Sequence, residues 1–511
     1  MHINILQYLA ETSVTKPDKT AVVDGEKRYS ISDVTIRSKK IGQFIAKRTG
    51  EKIRRPIAVF LPKNFDCITG DLGIIYSGNA YMNLDIKNPK QRLENILSLV
   101  EPELVLTDTQ HADLIAPMVA EEKIIRLDEI DFDTIQIDEN YLAAILDQII
   151  DTDPLCLINT SGSTGTPKSV ILNHRSFIDF TEWANRTLKI HEDEIIGCLS
   201  PVVFDIYSFE LCMLMSKSAT MVIIPESFAA FPVQILNLMV KEKINFIFWV
   251  PTIMVNIANG NLLQRIPLPD LRTVWFAGEV FPTKQFNYWR KENPNTKFVN
   301  LYGPIEITLD CTYFIVDREI PDHEPIPIGF PCRNTDVLIL NDENKPVSGT
   351  EEGELCVRGS SLALGYYNNP EKTSAAFVQN PLNNSYPETI YRTGDVVFRN
   401  KLGEIIFKGR KDSLIKHSGY RIELGEIEHV IVNTLKLAKN GCVVYHIEKK
   451  EITLVYEAEK DLDPRELRTE IAKILPKYMV PTKFIRMEQL PRNTNGKIDR
   501  LFLKEKVNRD E

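Results

Sequence analysis

The sequence has no uninterrupted apolar stretch of about 18 residues, the length that marks a membrane-crossing helix. The opening Met1-His2-Ile3-Asn4-Ile5-Leu6 lacks a basic segment followed by an apolar run, so no secretory leader is expected. There is no excess of positive charge. The formal net charge is -9, which argues against nucleic acid as the main partner, because a polyanion is usually met by a basic surface. No two of the eight cysteines stand close enough for a Cys-x-x-Cys pair, which removes the common zinc-ligand spacing. Most sit in apolar runs such as Leu155-Cys156-Leu157, so they read as buried free thiols of a reducing compartment. Internal repeats and low-complexity tracts are also missing, which excludes solenoid architectures. A cytoplasmic, soluble protein with no membrane and no nucleic-acid partner is expected.

What remains is an ordinary globular composition on a long chain. At 511 residues it exceeds one comfortable core, so two or more domains are expected. Short β-branched or aromatic runs (Ile57–Leu61, Leu104–Thr107, Phe246–Val250) alternate with helical periods (Arg92–Val100, Val233–Lys241). That alternation predicts an α/β fold with mostly parallel sheet. From about Gly329 short strands and turns dominate, as in Thr335–Asn341, Gly353–Arg358 and Glu404–Lys408, which predicts a β-rich subdomain over 329–410. A boundary falls near Gly409-Arg410-Lys411-Asp412. Residues 411–511 then read as a small α+β domain, with helices at Leu424–Leu435 and Pro464–Leu475 and strands at Cys442–His446 and Ile452–Glu457.

The chemistry starts at Thr160-Ser161-Gly162-Ser163-Thr164-Gly165-Thr166-Pro167-Lys168, which follows the apolar run Leu155–Ile158. Glycines let backbone N–H groups close on an anion, the hydroxyls add donors, and Lys168 adds a positive charge. The set suits the outer phosphates of a nucleotide. It is not a Walker A loop, because Pro167 stands where that pattern needs its second glycine.

Asn300-Leu301-Tyr302-Gly303-Pro304-Ile305-Glu306 combines a tight turn, a flat aromatic face and a hard oxygen ligand for Mg²⁺. Tyr391-Arg392-Thr393-Gly394-Asp395 places a carboxylate on a predicted turn, suited either to chelating two ribose hydroxyls or to capping the turn. Ser418 and Gly419, in the stretch Lys416–Glu428, are turn-formers ahead of a helix. Asn493-Thr494-Asn495-Gly496-Lys497 holds Lys497 at a loop tip, as a reaching cation or as a solvated surface lysine.

These motifs, in this order, resemble the adenylate-forming superfamily of acyl-CoA synthetases, luciferases and nonribosomal peptide adenylation domains. The likeness runs over nearly the whole chain. It is nearest to stand-alone amino-acid adenylating enzymes such as proline– and D-alanine–carrier protein ligases. The resemblance implies ATP and Mg²⁺, with a large N-terminal core over 1–410 and a small mobile domain over 411–511. Thr160, Ser161, Gly162, Ser163, Thr164, Gly165 and Lys168 would cradle the β- and γ-phosphates. Ala277, Gly278 and Glu279, with Asn300, Leu301, Tyr302 and Gly303, would line the adenine, Tyr302 stacking on it. Glu306 would bind the metal, Asp395 and Arg410 the ribose or a phosphate, and Asp412 would be the hinge. The loop around Ser418 would line the pantetheine channel. Lys497 would be the catalytic lysine, stabilising charge at the α-phosphate. Ile305 and Ser169 replace the family's usual threonine and glycine.

Phe204-Asp205-Ile206-Tyr207-Ser208-Phe209 resembles the start of the acyl pocket. Asp205 matches the residue that binds an α-amino group. An ammonium would satisfy it, whereas a fatty or aryl acid would leave a carboxylate unpaired. Ile206, Phe209, Phe248, Trp275, Ala277, Leu301, Leu309 and Asp310 match the remaining pocket positions, with Lys497 contacting the substrate carboxylate. Bulky apolar walls leave room for a small uncharged side chain. L-proline is the first expectation and D- or L-alanine the second, with Asp310 unexplained by either. The acceptor would be the phosphopantetheine thiol of a carrier protein, expected to be separate because no Gly-Gly-x-Ser segment follows Lys497. Two other readings stay open: an acyl-CoA ligase for a non-amino acid, and a nucleotide-binding regulator without catalysis.

Overall fold

A computed structural model describes residues 2–161, 167–411, 414–446, 449–458, 460–492 and 498–509. The fold is mixed α/β and its two large sheets are mainly parallel. The chain divides into two compact units. The first comprises residues 1–86, 101–158 and 170–411, and the second residues 87–100, 159–169 and 412–511.

In the first unit, the parallel strands Thr20–Asp24, Thr220–Ile223, Ile195–Cys198, Phe246–Trp249, Thr273–Phe276 and Lys297–Tyr302 lie side by side. Antiparallel strands close both edges, Lys27–Ser30 on one side and Thr312–Ile315 with Phe330–Pro331 on the other. Two-residue alternation divides their side chains between two cores. Phe246, Phe248, Trp275, Val299 and Leu301 join one core. Ile247, Trp249, Val274, Phe276 and Phe298 join the other. The sheet is thus buried on both faces, which explains why its strands read as continuous apolar runs.

A second sheet carries the parallel strands Ala80–Asn83, Pro56–Val59, Val105–Thr107 and Ile124–Arg126, with Pro154–Thr160, Lys168–Asn173 and Gly365–Tyr366 beyond them. A third, antiparallel sheet gathers Thr335–Leu340, Gly353–Gly359, Thr389–Arg399, Phe377–Gln379 and Ile405–Arg410. All eight cysteines are free and buried. Among the described residues no helix is long and apolar enough to cross a membrane.

The second unit holds a hairpin, Leu414–His417 with Tyr420–Glu423, and a three-stranded sheet of Asn440–His446, Glu451–Glu457 and Lys483–Met487. The helix expected at Leu424–Leu435 runs as α-helix only to His429 and continues as a π-helical turn, Val430–Thr434. Within this unit Arg92, on the helix Lys90–Val100, pairs with Glu426 at 2.9 Å, both side chains buried. Such a pair contributes little net stability when intact, but losing one partner strands a buried charge.

One buried carboxylate gives the first unit a pH signature. Glu210 lies on the helix Asp205–Lys217, and neither of its carboxylate oxygens accepts a hydrogen bond from a nitrogen or oxygen. Burial pushes its pKa up to about 8, against the opposing pull of Lys63. As pH rises above the ordinary carboxylate range, the unfolded chain releases this proton while the folded chain keeps it until about 8. Stability therefore falls through that window, by at most about 1.4 kcal/mol per pH unit, and levels off above it. Asp71, raised to about 7 by burial, acts in the same direction. Melting temperatures at pH 5 and pH 8 should differ less for Glu210→Gln than for the wild type.

Candidate active site

The expected pocket side chains converge in the first unit. Phe248 and Trp275 are register partners on neighbouring strands, and Leu301 lies one strand further. Opposite them runs the helix Asp205–Lys217. Phe209 on this helix stacks on Trp275 at 5.3 Å and 18°, and meets Phe248 edge-on at 6.1 Å. Phe248 and Trp275 are themselves edge-to-face at 5.6 Å. Ile206, Ala277, Leu301 and Leu309 belong to the same core.

Asp205 is the first residue of this helix, only half-buried, one turn before Phe209 on the same side. Phe204 holds the cap position and supplies no side-chain cap, so Asp205 is not an N-cap. Asp310 is buried. Trp275 is 0% exposed and its Nε1–H has no acceptor among the described residues.

The Tyr302, Asp395 and Arg410 side chains also meet. The strand Lys297–Tyr302 ends at Tyr302, which is 7% exposed and donates its hydroxyl to Asp395 Oδ2. Arg410 donates to Asp395 Oδ1. Asp395 does not sit on a turn, as the sequence suggested. It lies within the strand Thr389–Arg399, directly opposite Arg410 on the adjacent strand. Gly394 before it has φ +72°, and against the strand Gly353–Gly359 the register slips between Arg392 and Val396, so a bulge mimics a turn in the sequence. Burial and the Asp395 charge hold the Tyr302 phenol far above its usual pKa.

Glu306 lies in the short 3₁₀ turn Ile305–Ile307, 0% exposed, and its Oε1 accepts from the Tyr366 hydroxyl at 2.8 Å. Among the described residues no group of three or more His, Cys, Asp or Glu side chains could hold a metal. Magnesium beside a nucleotide takes one or two carboxylates together with phosphate oxygens and water, so a single glutamate fits that donor set. Asn300 is turned away from solvent and donates to Pro327 O at 2.8 Å. Gly278 has φ +88°, a conformation that favours glycine. Glu279 Oε2 accepts from the Thr252 backbone N–H at 3.0 Å and from the Thr252 hydroxyl, near the N-terminus of the helix Pro251–Asn259.

In the second unit, Ser161 donates to Arg421 O at 2.7 Å and accepts from Glu423 N–H at 3.0 Å. Lys168 Nζ donates to Glu423 Oε1 at 2.7 Å. Thr160 Oγ1 is buried without a partner among the described residues. Ser169, found where the family usually has glycine, donates to Asn159 Oδ1 at 2.5 Å and ties the strand entering the loop to the strand leaving it. Gly162, Ser163, Thr164 and Gly165, the hinge candidate Asp412 and the catalytic candidate Lys497 lie outside the described residues.

The sequence pattern of AMP-binding enzymes matches residues 9–367. The chain belongs to the AMP-binding enzyme family. Gramicidin S synthase 1 of Brevibacillus brevis is 29% identical to it over 98% of this chain and 44% of its own length. Surfactin synthase subunit 1 of Bacillus subtilis is 31% identical over 98% of this chain and 14% of its own. The chain thus spans less than half the length of these relatives. Among solved structures, the Vibrio cholerae adenylation domain AlmE, in complex with glycyl-adenosine-5'-phosphate, superposes with a TM-score of 0.85 at 19% identity, covering 99% of this chain and 98% of that one. PA1221, a nonribosomal peptide synthetase protein with adenylation and carrier (PCP) domains, superposes with a TM-score of 0.82 at 20% identity, over 98% of this chain and 84% of that one. At such identities the likeness is one of fold.

In this AMP-binding enzyme the Tyr302-Gly303-Pro304 turn packs directly on the pocket segment. A Cβ on Gly303 would lie 2.2 Å from Leu309 O and 2.6 Å from Asp310 Cα. Both neighbours are backbone and cannot swing aside. Gly303→Ala should therefore cost ~1–3 kcal/mol, read as a lowered melting temperature. Tyr366 and Thr252 went unnoticed in the sequence. Each meets its partner only through the fold, Tyr366 across 60 residues and Thr252 across 27, and neither carries a local motif.

Proposed function

We propose that this chain uses ATP to convert a small amino acid into its aminoacyl-adenylate, then passes the aminoacyl group to the phosphopantetheine thiol of a carrier protein. A cytoplasmic location belongs to the same reading. The observation that carries it is Asp205, placed one helical turn from an aromatic cluster of Phe209, Phe248 and Trp275. A half-buried carboxylate beside a small apolar enclosure suits an ammonium group with a compact side chain.

In the first half-reaction a substrate carboxylate oxygen bonds to the α-phosphorus, the bond to the β-phosphate bridging oxygen breaks, and pyrophosphate leaves. Asp395 would accept hydrogen bonds from the ribose hydroxyls. A carboxylate has about four lone-pair sites, so those bonds can coexist with the ones from Tyr302 and Arg410. Glu306 would hold Mg²⁺, which supplies charge neutralisation for the phosphates. Thr160, Ser161 and Lys168 would contact the outer phosphates, which means exchanging the Lys168–Glu423 ion pair for phosphate. Lys497 would oppose the charge that builds on the α-phosphate oxygens. In the second half-reaction the thiol sulfur attacks the adenylate carbonyl, AMP leaves, and the thiol proton passes to solvent.

L-proline is the first candidate, since its closed ring is compact and apolar. One observation favours a second reading. Trp275 Nε1–H is buried without an acceptor among the described residues, and an unmet donor costs about 1–3 kcal/mol. A small side chain bearing an oxygen acceptor would meet it.

Amino-acid-dependent ATP–pyrophosphate exchange, screened over the common amino acids with fatty and aryl acids alongside, decides. Proline should rank first. Serine or threonine ahead of proline supports the second reading. Exchange with fatty or aryl acids alone sinks both.

A further inference from the structure

Outside the pocket, a line of polar side chains lies buried between the helix Phe65–Tyr76 and the helix Asp205–Lys217. Lys63, Cys67 and Asp71 are spaced four apart, so they project along one side of the first helix and its entry. Half-buried Lys63 donates to Cys198 O at 2.6 Å and to Ser200 O at 3.0 Å. Those carbonyls mark the end of the strand Ile195–Cys198 and the start of the loop leading to Asp205. Further along, the Tyr207 hydroxyl donates to Asp71 Oδ2 at 2.7 Å. The same oxygen accepts from Asn83 Nδ2 at 3.0 Å, and Cys67 Sγ lies 3.9 Å from the Tyr207 hydroxyl.

The segment 198–207 is therefore held at one end by the entry to the helix Phe65–Tyr76 and at the other by the helix itself. Asp205 stands inside it, two residues before Tyr207, at a helix start whose cap residue contributes no side-chain bond. Burying polar groups here is expensive, and a purely apolar contact would pack the two helices without that cost. Directional bonds add what apolar packing lacks, a fixed register for one short stretch of backbone.

We propose that Lys63 and the Asp71–Tyr207 pair are positioning residues for Asp205, holding it where it meets the substrate's ammonium group. The proposal rests on the reading of Asp205 as the amine-binding residue. Lys63 sets the height of the loop, and Tyr207 sets the rotation of the first helical turn. A displacement of about 1 Å at a binding carboxylate can cost up to about 10²-fold. Two hydrogen-bonded grips that share the task should each account for about tenfold.

The test compares Tyr207→Phe, Lys63→Met, Asp71→Leu and Asp71→Asn in the full chain. ATP–pyrophosphate exchange is followed with the amino acid and ATP varied in turn, beside hydrogen exchange of the 198–207 amides. Tyr207→Phe keeps the ring and its packing. It should raise KM for the amino acid about tenfold, with kcat and KM for ATP within about twofold, and lower amide protection over 198–207. Lys63→Met should do the same. Asp71→Asn, which keeps an acceptor for the Tyr207 hydroxyl, should stay near the wild type, whereas Asp71→Leu should resemble Tyr207→Phe. Equal changes in both KM values, unchanged protection, or Asp71→Asn as damaged as Asp71→Leu would overturn the positioning role. If protection falls but no amino acid supports exchange in the wild type, the grip stands and the amine-binding role of Asp205 fails.

Discussion

Asp205→Ala is expected to lower kcat/KM for the amino acid about 10²–10³-fold, with KM for ATP changed by no more than about twofold. Asp205 is the first residue of its helix, at the end that carries the positive pole of the helix dipole. That pole repels an incoming ammonium, so a carboxylate is needed to supply the attraction. Removing one partner of a desolvated charge pair typically costs about 2–5 kcal/mol, largely because the other charge is left unpaired. The asparagine variant keeps an acceptor but loses the charge, and should fall between alanine and wild type. Because Asp205 is only half-buried, the melting temperature should hardly move. Steady-state exchange kinetics with each substrate varied read the effect. An unchanged amino-acid KM, or an equal rise in the ATP KM, would show that this carboxylate does not meet the amine.

The second large effect is expected at Asp395, on two separable counts. Asp395 is 3% exposed and takes Tyr302 on one oxygen and Arg410 on the other. In Asp395→Ala the Arg410 guanidinium, itself mostly buried, loses this carboxylate partner. Breaking such a pair costs about 3–5 kcal/mol, so this variant should melt markedly lower. Asp395→Asn retains an oxygen for Arg410 and an amide facing Tyr302, and should melt nearer the wild type. It should still bind ATP about 10- to 100-fold more weakly, since ribose hydroxyls donate far better to a carboxylate than to an amide. The comparison separates fold from ligand: if Asp395→Asn keeps wild-type KM for ATP, the ribose role is wrong even when Asp395→Ala unfolds. Tyr302→Phe should sit between them, as it removes one donor and leaves the ion pair.

Much of this arrangement could be read before the fold was known, wherever the signal was local. The run Phe246–Val250 predicted a strand because aromatic and β-branched residues suit a sheet buried on both faces. The strand Phe246–Trp249 is there, with Phe248 in the core that holds Phe209 and Trp275 and Trp249 in the other core. Motif order likewise carried Phe209, Trp275 and Leu301 into one list, and the sheet places them in one core. Asp395 was less legible. A Thr-Gly-Asp string reads as a turn, and only the paired strands reveal that it bulges against the strand Gly353–Gly359 while Asp395 faces Arg410. The helix at Leu424 kept its predicted start and lost its predicted regularity after His429, where the hydrogen bonding widens to a π-helical turn.

The sequence by itself determined the family and the α/β class, and nominated candidate site side chains, because these depend on residue type, spacing and order along one dimension. The tertiary structure alone decided which groups share a partner. It brought the Tyr302 hydroxyl to Asp395 across 93 residues, Tyr366 to Glu306 across 60, and Tyr207 to Asp71 across 136. It also left Trp275 Nε1–H, in the middle of the aromatic cluster, without an acceptor among the described residues. Hydrogen bonds are short-ranged and directional, so they are settled only when sheets and helices fix side chains to within a few tenths of an ångström. No spacing along the chain encodes that distance.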